Sequence, residues 1–188
     1  MTHLFDTPAK HAREKFSLIN FIETGCEVGE GLRLAKEYGF INLFSCDIRK
    51  EATDLVALEF PEATLITDDS LAYLKQILPT LVGPSLFWLD AHFPALYHTE
   101  EASETRWPLL QELELIKALK QDISKDVIIC DDTRVIRDVN NPRYWPGEVD
   151  GYYVDADWKA LWETFSETHT AYTHNVDTGI LFFVPKEV

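Results

Sequence analysis

Cysteine is scarce in this chain, and its arrangement argues against two kinds of stabilising site. The three cysteines are Cys26, Cys46 and Cys130, an odd number at long spacings. Disulfide frameworks use paired cysteines and zinc knuckles use closely spaced ones, so the sequence indicates neither. Cys46 and Cys130 lie within apolar runs, and we expect them to be buried, reduced thiols.

Long apolar runs are also absent. No segment approaches the ~20 consecutive apolar residues that a membrane-spanning helix needs. The segment from Met1 to Lys15 is polar and charged, without the apolar stretch that a signal peptide requires. We therefore expect a cytoplasmic protein that does not use a membrane as its partner.

Positive charge is in short supply. The chain has 17 lysines and arginines against 32 aspartates and glutamates, which gives a formal net charge of −15. A domain this acidic repels phosphate backbones, so we do not expect a nucleic-acid substrate. The excess acid either forms a solvated, solubilising surface or serves a metal site or a cationic substrate.

What the chain does contain is enough apolar sequence, 46% of 188 residues, for one buried core. We predict a single domain over residues 1–188, since no linker or repeat divides it. Predicted strands cover residues 16–23, 41–46, 63–67, 84–89, 126–130, 170–175 and 179–184. Predicted helices cover residues 29–38, 51–60, 70–78, 109–120 and 156–165. Strands that are apolar along their whole length belong in a parallel sheet covered on both faces, so the fold class is α/β with three layers, α-β-α.

Polar residues follow each of the first five predicted strands. These residues are Glu23, Gly25, Asp47, Asp68, Asp69, Ser70, Asp90, His92, Asp131 and Asp132. One such residue is readily explained as a helix cap, and we predict that role for Ser70. Polar residues at the ends of five successive strands favour a ligand site, because open α/β sheets bind ligands at the carboxyl ends of their strands.

The loop after the first strand, from Glu23 to Gly31, reads Glu-Thr-Gly-Cys-Glu-Val-Gly-Glu-Gly. Its glycines permit a tight turn, and the helix that follows offers free N–H groups to a carboxylate or phosphate. Asp47 follows at the ~20-residue distance expected of an acceptor for ribose hydroxyls. The loop lacks the dinucleotide pattern Gly-x-Gly-x-x-Gly, and its three glutamates would repel a pyrophosphate. They favour a ligand with positive charge, such as the ammonium and sulfonium of S-adenosylmethionine.

The pattern Glu-x-Gly-x-x-x-Gly, with an acidic end to the second strand, resembles the first two motifs of class I S-adenosylmethionine-dependent methyltransferases. The similarity covers nearly the whole chain. It implies a Rossmann-like, mostly parallel seven-stranded sheet that ends in an antiparallel pair. It also implies a cofactor site for S-adenosyl-L-methionine. The residues expected in that site are Glu23, Gly25, Gly29 and Asp47, with Asp69 and Ser70 near the adenine. Residues 86–92, 107–113 and 128–134 are similar to small methyltransferase-like proteins encoded among bacterial glycan and glycosyltransferase genes.

Asp90 and the pair Asp131 and Asp132 also resemble the metal ligands of catechol-type O-methyltransferases. The resemblance implies Mg²⁺ or another divalent metal, which hard carboxylate oxygens suit. Such a metal would lower the pKa of a substrate hydroxyl. The alternative for the Asp131–Asp132 pair is loop capping with an ion pair to Arg134 or Arg137.

The lysine base of the catechol-type enzymes is missing, because Phe93 occupies its position. His92 is the candidate replacement, since an imidazole pKa of about 6.5 suits a general base at neutral pH. The alternative for His92 is a structural hydrogen-bond donor in its loop.

Together these observations predict an O-methyltransferase whose partner is a small hydroxylated acceptor related to a sugar or glycan, with Asp90 and His92 as catalytic residues. Two alternatives stay open at this point. One is a metal-dependent hydrolase or lyase that uses the same carboxylates, and the other is a non-catalytic binding module on the same fold. The sequence identifies neither the acceptor nor the oligomeric state, and it leaves a homo-oligomer open.

Overall fold

Strands and helices alternate along the computed structural model, which describes residues 3–91, 107–142, 154–174 and 179–186. The α-helices are α1 (His3–Phe16), α2 (Glu30–Glu37), α3 (Lys50–Glu59), α4 (Ser70–Ile77), α5 (Leu109–Leu119) and α6 (Trp158–Glu163). The strands are β1 (Asn20–Thr24), β2 (Asn42–Asp47), β3 (Thr64–Thr67), β4 (Ser85–Leu89), β5 (Val127–Cys130), β6 (His169–His174) and β7 (Ile180–Pro185). Short 3₁₀ turns lie at Leu78–Thr80 and Thr133–Val135.

The seven strands form one sheet in the order β3-β2-β1-β4-β5-β7-β6. The pairs among β1 to β5 are parallel, and β7 runs antiparallel to both β5 and β6. This confirms the predicted sheet with its final antiparallel pair. Strands β2 and β3 lie on one side of β1, and β4 and β5 lie on its other side, so the strand order reverses at the boundary between β1 and β4. That reversal leaves a crevice at their carboxyl ends, which is the usual ligand position in an open α/β sheet.

Helices cover both faces of the sheet, as predicted from strands that are apolar along their length. Successive residues of a strand point to opposite faces, so Phe21 and Ile22 of β1 enter different cores. The Phe21 core packs against α1, α2 and α3, and the Ile22 core packs against α4, α5 and α6. The molecule therefore has the three layers α-β-α.

The first helix, α1, is absent from the sequence prediction. Its apolar contribution is small, with Ala9 and Ala12 buried against the sheet three residues apart. The helix ends because Ser17 takes a left-handed conformation with φ 52°, and the Leu18 N–H donates to the Arg13 carbonyl at 3.1 Å. A helix that buries alanines gives a weak apolar pattern, which explains why the periodicity did not reveal it.

The cap of α4 corrects a sequence prediction. Asp69, not Ser70, is the N-cap residue, and its carboxylate accepts a hydrogen bond from the Ala72 N–H at 2.9 Å. Ser70 is the first residue of the helix and is buried. Both residue types are good caps, so a shift of one position is not resolved by preference alone.

The three cysteines are free and buried, as predicted for Cys46 and Cys130. Burial is the main cause that raises their thiol pKa values, to about 12 for Cys26. Thiols with such pKa values stay protonated at neutral pH and are poor nucleophiles. Among the helices in the described residues, none combines the length and apolar character needed to cross a membrane.

Candidate functional site

The turn after β1 is fixed against both neighbouring strands. The N–H groups of Gly25 and Cys26 both donate to the Cys46 carbonyl, at 3.1 and 2.8 Å. Gly25 has φ +90°, and a Cβ there would lie 3.1 Å from the Asp90 carbonyl oxygen. A larger residue would therefore disturb the protein backbone at position 25 before it met any ligand. Gly25→Val is for this reason a poor probe of ligand binding.

Helix α2 begins directly after this turn with its N–H groups open towards the carboxyl edge of the sheet. Its N-cap residue is Gly29, in a left-handed conformation with φ 79°, and it provides no side-chain cap. The first N–H groups of an α-helix have no partner within the helix, and they carry the positive end of its dipole. The start of α2 therefore suits a ligand carboxylate or phosphate.

Glu23 is a buried carboxyl group at the end of β1. It is 3% exposed, and its Oε2 accepts a hydrogen bond from the Ser45 hydroxyl at 2.6 Å. The pKa of Glu23 is raised to about 8, mainly by burial, with the charges of Asp90 and Asp47 raising it and the Ser45 hydrogen bond lowering it. Glu23 therefore interacts electrostatically with two other acidic side chains at this edge. A bound cation would relieve their repulsion.

Gly31 makes room for the Glu23 carboxyl group over the first turn of α2. A Cβ at position 31 would overlap Glu23 Oε1. Helix propensity alone predicts that Gly31→Ala stabilises the protein by about 1 kcal/mol. We expect the opposite, a loss of about 1–3 kcal/mol, because the carboxyl group must leave its packed position beside Ser45. Urea unfolding measures the sign.

The matched control for Gly31→Ala is Glu30→Ala, an exposed position in the same helical turn. That variant should stay within about 0.5 kcal/mol of the parent protein. If Gly31→Ala proved more stable than the parent, the close packing of Glu23 on α2 would be disproved.

Asp47 ends β2, where the sequence placed an acceptor for ribose hydroxyls. It is 7% exposed. Its Oδ1 accepts from the Arg49 backbone N–H at 2.9 Å and from Arg49 Nε at 3.0 Å. Its Oδ2 accepts from the Glu27 N–H and from Arg49 Nη2, both at 3.1 Å. Arg49 is not among the site residues predicted from the sequence, although its opposite charge two residues beyond Asp47 is a signal for this pairing.

The residues after β3 lie beside Asp47. The Asp68 N–H donates to the Asp47 carbonyl at 3.2 Å, which brings this turn to the same edge of the sheet. The Asp69 carboxylate is committed to capping α4, and Ser70 is buried at the helix start. Contact of Asp69 and Ser70 with an adenine ring stays a prediction.

The proposed metal ligands follow the neighbouring strands β4 and β5. The Asp90 N–H donates to Thr24 Oγ1 at 3.2 Å, and the Asp131 N–H donates to the Leu89 carbonyl at 3.0 Å. The Asp131 carboxylate accepts from the Asp132 N–H at 2.7 Å, and Asp132 takes a left-handed conformation with φ 52°.

These carboxylates do not form a ready metal site. Within residues 3–91, 107–142, 154–174 and 179–186, no group of three or more His, Cys, Asp or Glu side chains could hold a metal ion. The predicted convergence of Asp90, Asp131 and Asp132 is therefore not found in the structure. His92, the predicted base, lies outside the described residues. The metal set stays a prediction.

A cavity of about 660 Å³ lies at the opposite, amino edge of the sheet. Lys15, Lys125 and Lys186 are among its lining residues, together with Pro84 before β4. None of the strand-end carboxylates lines it. The chemistry of the carboxyl edge, not this cavity, therefore identifies the candidate site.

Several solved structures that match this fold are methyltransferases. An O-methyltransferase from Bacillus cereus with bound S-adenosylhomocysteine matches with a TM-score of 0.64 at 16% identity, over 94% of this chain and 78% of that one. A methyltransferase from Podospora anserina with S-adenosylhomocysteine matches with 0.63 at 14%, over 95% and 76%. An O-methyltransferase from Streptomyces achromogenes involved in tomaymycin synthesis, solved with S-adenosylmethionine, matches with 0.58 at 14%, over 95% and 78%.

No protein-family model matches this chain, and no curated protein matches it in sequence. At the identities above, structural likeness establishes the fold alone. The strand order, the reversal between β1 and β4 and the final antiparallel pair all agree with it. The chain therefore has the Rossmann-like fold of class I S-adenosylmethionine-dependent methyltransferases.

Proposed function

We propose that this protein binds S-adenosylmethionine at the carboxyl edge of β1 and β2 and transfers its methyl group to a hydroxyl of a small acceptor. One observation carries the proposal. The uncapped start of α2 lies between two buried carboxyl groups, Glu23 and Asp47. This places a site for an anion beside sites for a cation and for hydroxyl groups. The methionine carboxylate, the ammonium and sulfonium, and the ribose diol present that combination of charges.

The chain's own residues suit this ligand part by part. The first N–H groups of α2 would hold the methionine carboxylate. Glu23, with the neighbouring charges of Asp90 and Asp47, would favour the positively charged part of the ligand. Asp47 would accept from the ribose hydroxyls. The charges and hydrogen-bonding groups of these residues therefore match those of the cofactor.

In the proposed reaction the bound cofactor supplies an electrophilic methyl carbon. The protein then has two tasks, which are to align the acceptor oxygen with that carbon and to take up the hydroxyl proton. Asp90 leaves β4 at the centre of the sheet, beside the β1 turn. Asp90 is the candidate base for the second task, with His92 as the other candidate from the sequence.

The acceptor is proposed to be a small, hydroxylated molecule related to a sugar or glycan. The overall charge of the chain and a sequence resemblance motivate this choice. The net charge of −15 opposes a polyanion, and the similarity of residues 86–92, 107–113 and 128–134 points towards glycan-associated methyltransferase-like proteins. The metal-dependent hydrolase or lyase alternative depends on the carboxylate set that the described residues do not assemble.

Calorimetric titration with S-adenosylhomocysteine tests the cofactor site. We expect binding in the parent protein and an affinity at least about tenfold lower in Asp47→Asn, because the amide cannot accept from both ribose hydroxyls. The matched control is Asp68→Asn, an exposed carboxylate in the adjoining turn that accepts a hydrogen bond from the Asp69 N–H at 2.9 Å. Thermal melting confirms that both variants are folded. Absence of binding in the folded parent protein at millimolar ligand would contradict the proposal.

Methyl transfer itself is tested separately. Labelled S-adenosylmethionine and a panel of hydroxylated sugars should yield an O-methylated product by mass spectrometry. Asp90→Asn should retain S-adenosylhomocysteine binding and lose turnover. Repeating the assay with EDTA, and then with added Mg²⁺, decides whether a metal takes part.

A further inference from the structure

The acceptor positions of the Asp47 carboxylate are all in use. An ionised carboxylate accepts at about four lone-pair positions. Asp47 receives two hydrogen bonds on each oxygen, at 2.9 and 3.0 Å on Oδ1 and at 3.1 and 3.1 Å on Oδ2. The Cys26 thiol also lies 4.0 Å from Oδ2. A ribose diol that binds to Asp47 must therefore displace a donor already there.

The donors differ in how readily they can leave. Two are backbone N–H groups, of Glu27 and Arg49, and both belong to segments fixed by secondary structure. Glu27 follows Cys26, whose N–H is bonded to β2, and Arg49 is the N-cap residue of α3. The other two belong to the Arg49 guanidinium, whose side chain is 33% exposed. The side chain can rotate into solvent, whereas the backbone donors cannot.

The guanidinium and a ribose diol also match in shape. Arg49 uses Nε on one oxygen of Asp47 and Nη2 on the other, as a bidentate fork. The two neighbouring hydroxyls of a ribose would use the same two positions. Resting on the proposed function, we propose that Arg49 competes with the ribose diol for Asp47 and so lowers the affinity of the protein for ribosyl ligands. A ligand with an intact diol must displace the guanidinium to reach Asp47, whereas a ligand without the diol leaves the ion pair in place.

This competition predicts that removal of Arg49 tightens the binding of ribosyl ligands. A partly exposed ion pair of this kind corresponds to about a fivefold change in affinity. Arg49→Met keeps the length and apolar character of the side chain and removes both donors. We therefore expect Arg49→Met to bind adenosine about fivefold more tightly than the parent protein, with Arg49→Lys in between.

The control ligand is 2′,3′-dideoxyadenosine, which lacks the diol and carries no charge, as adenosine carries none. Its affinity should be the same in the parent protein and in Arg49→Met. The control variant is Arg33→Met, since Arg33 makes an equally bidentate ion pair with Glu59 at 2.8 and 2.7 Å between α2 and α3. Arg33→Met should change neither affinity.

Ligand-observed NMR titration measures these affinities, and the Nε–H signal of Arg49 gives a second readout. That signal, assigned by its loss in Arg49→Met, should shift when adenosine is added, and the Arg33 signal should not. Weaker adenosine binding in Arg49→Met would overturn the inference, since Arg49 would then support the ribose. An equal gain for both nucleosides would overturn it too, since the effect would not depend on the diol. If the folded parent protein bound neither adenosine nor S-adenosylhomocysteine, the proposed function itself would fail.

Discussion

Replacing Lys120 with methionine is expected to lower the free energy of unfolding by about 3–5 kcal/mol, because it leaves a buried carboxylate without its cation. Lys120 Nζ lies 3.4 Å from Asp126 Oδ2, and the two side chains are 2% and 0% exposed. The ammonium group also donates to the carbonyls of Gly83 and Asp122, each at 3.2 Å. All these groups lie at the amino edge of the sheet, opposite the candidate site.

Asp126 cannot easily move away from this position. Its Oδ1 accepts from the Ser85 N–H at 2.8 Å, and its carbonyl oxygen lies 2.9 Å from His169 Nε2. One residue thereby joins the starts of β4, β5 and β6. Burial raises the pKa of Asp126 to about 6, against the lowering effects of Lys120 and the Ser85 hydrogen bond. The pKa of Asp126 is higher in the folded protein than in the unfolded chain. Protonation of Asp126 therefore stabilises the fold at low pH, and this contribution is lost as the pH rises through about 6.

Urea unfolding of Lys120→Met at pH 8 and pH 5 measures the effect and its pH dependence. The loss should be smaller at pH 5, where Asp126 takes up a proton and needs no cation. Lys120→Met combined with Asp126→Asn should recover part of the loss. The matched control is Lys117→Met, an exposed lysine on the same helix that donates to the Thr164 carbonyl. Equal stability of Lys120→Met and Lys117→Met at pH 8 would show that the buried pair does not stabilise the fold.

Local sequence predicted most of the sheet because each strand carries its own signal. A run such as Phe87-Trp88-Leu89 is apolar at every position, so it indicates a strand buried on both faces without reference to the rest of the chain. Helix α1 gives no comparable signal, because its buried positions hold alanines. The Lys120–Asp126 pair was also missed. Neither residue type suggests burial, and only the packing of α5 against the sheet brings them together.

The candidate site also has features that local sequence predicts and features that depend on packing. Parallel strands share an edge, so acids that follow β1, β2 and β4 could be placed near one another from the sequence. The direction of each side chain could not, because it depends on rotamers and on contacts with distant residues. Asp69 therefore proved to cap α4, and Asp47 proved to be held by Arg49. Among the described residues no group of three or more His, Cys, Asp or Glu side chains could hold a metal ion, and the metal role of Asp90, Asp131 and Asp132 stays a prediction.

Glu23→Gln is expected to stabilise the protein by about 2–3 kcal/mol at pH 7, although it replaces a buried residue at the candidate site. The pKa of Glu23 is raised from 4.5 to about 8, chiefly by burial. The folded protein therefore holds a proton that the unfolded chain releases at neutral pH. Stability from this proton is fully present below pH 4.5 and is lost as pH rises through about 8. Glutamine is nearly isosteric and has no such proton to hold.

The gain in Glu23→Gln should accordingly shrink towards zero as the pH is lowered to 4.5, and unfolding experiments from pH 4.5 to 8 follow it. Glu30→Gln is the matched control, since Glu30 is exposed at the start of α2, and it should show no gain at any pH. The proposed cofactor adds a second readout. If its cationic part lies near Glu23, binding should release a proton at pH 7, which calorimetry detects in buffers of different ionisation enthalpy. Glu23→Gln should abolish that release. A variant less stable than the parent protein at pH 8 would show that Glu23 is ionised in the fold, with a cation or donor already satisfying it.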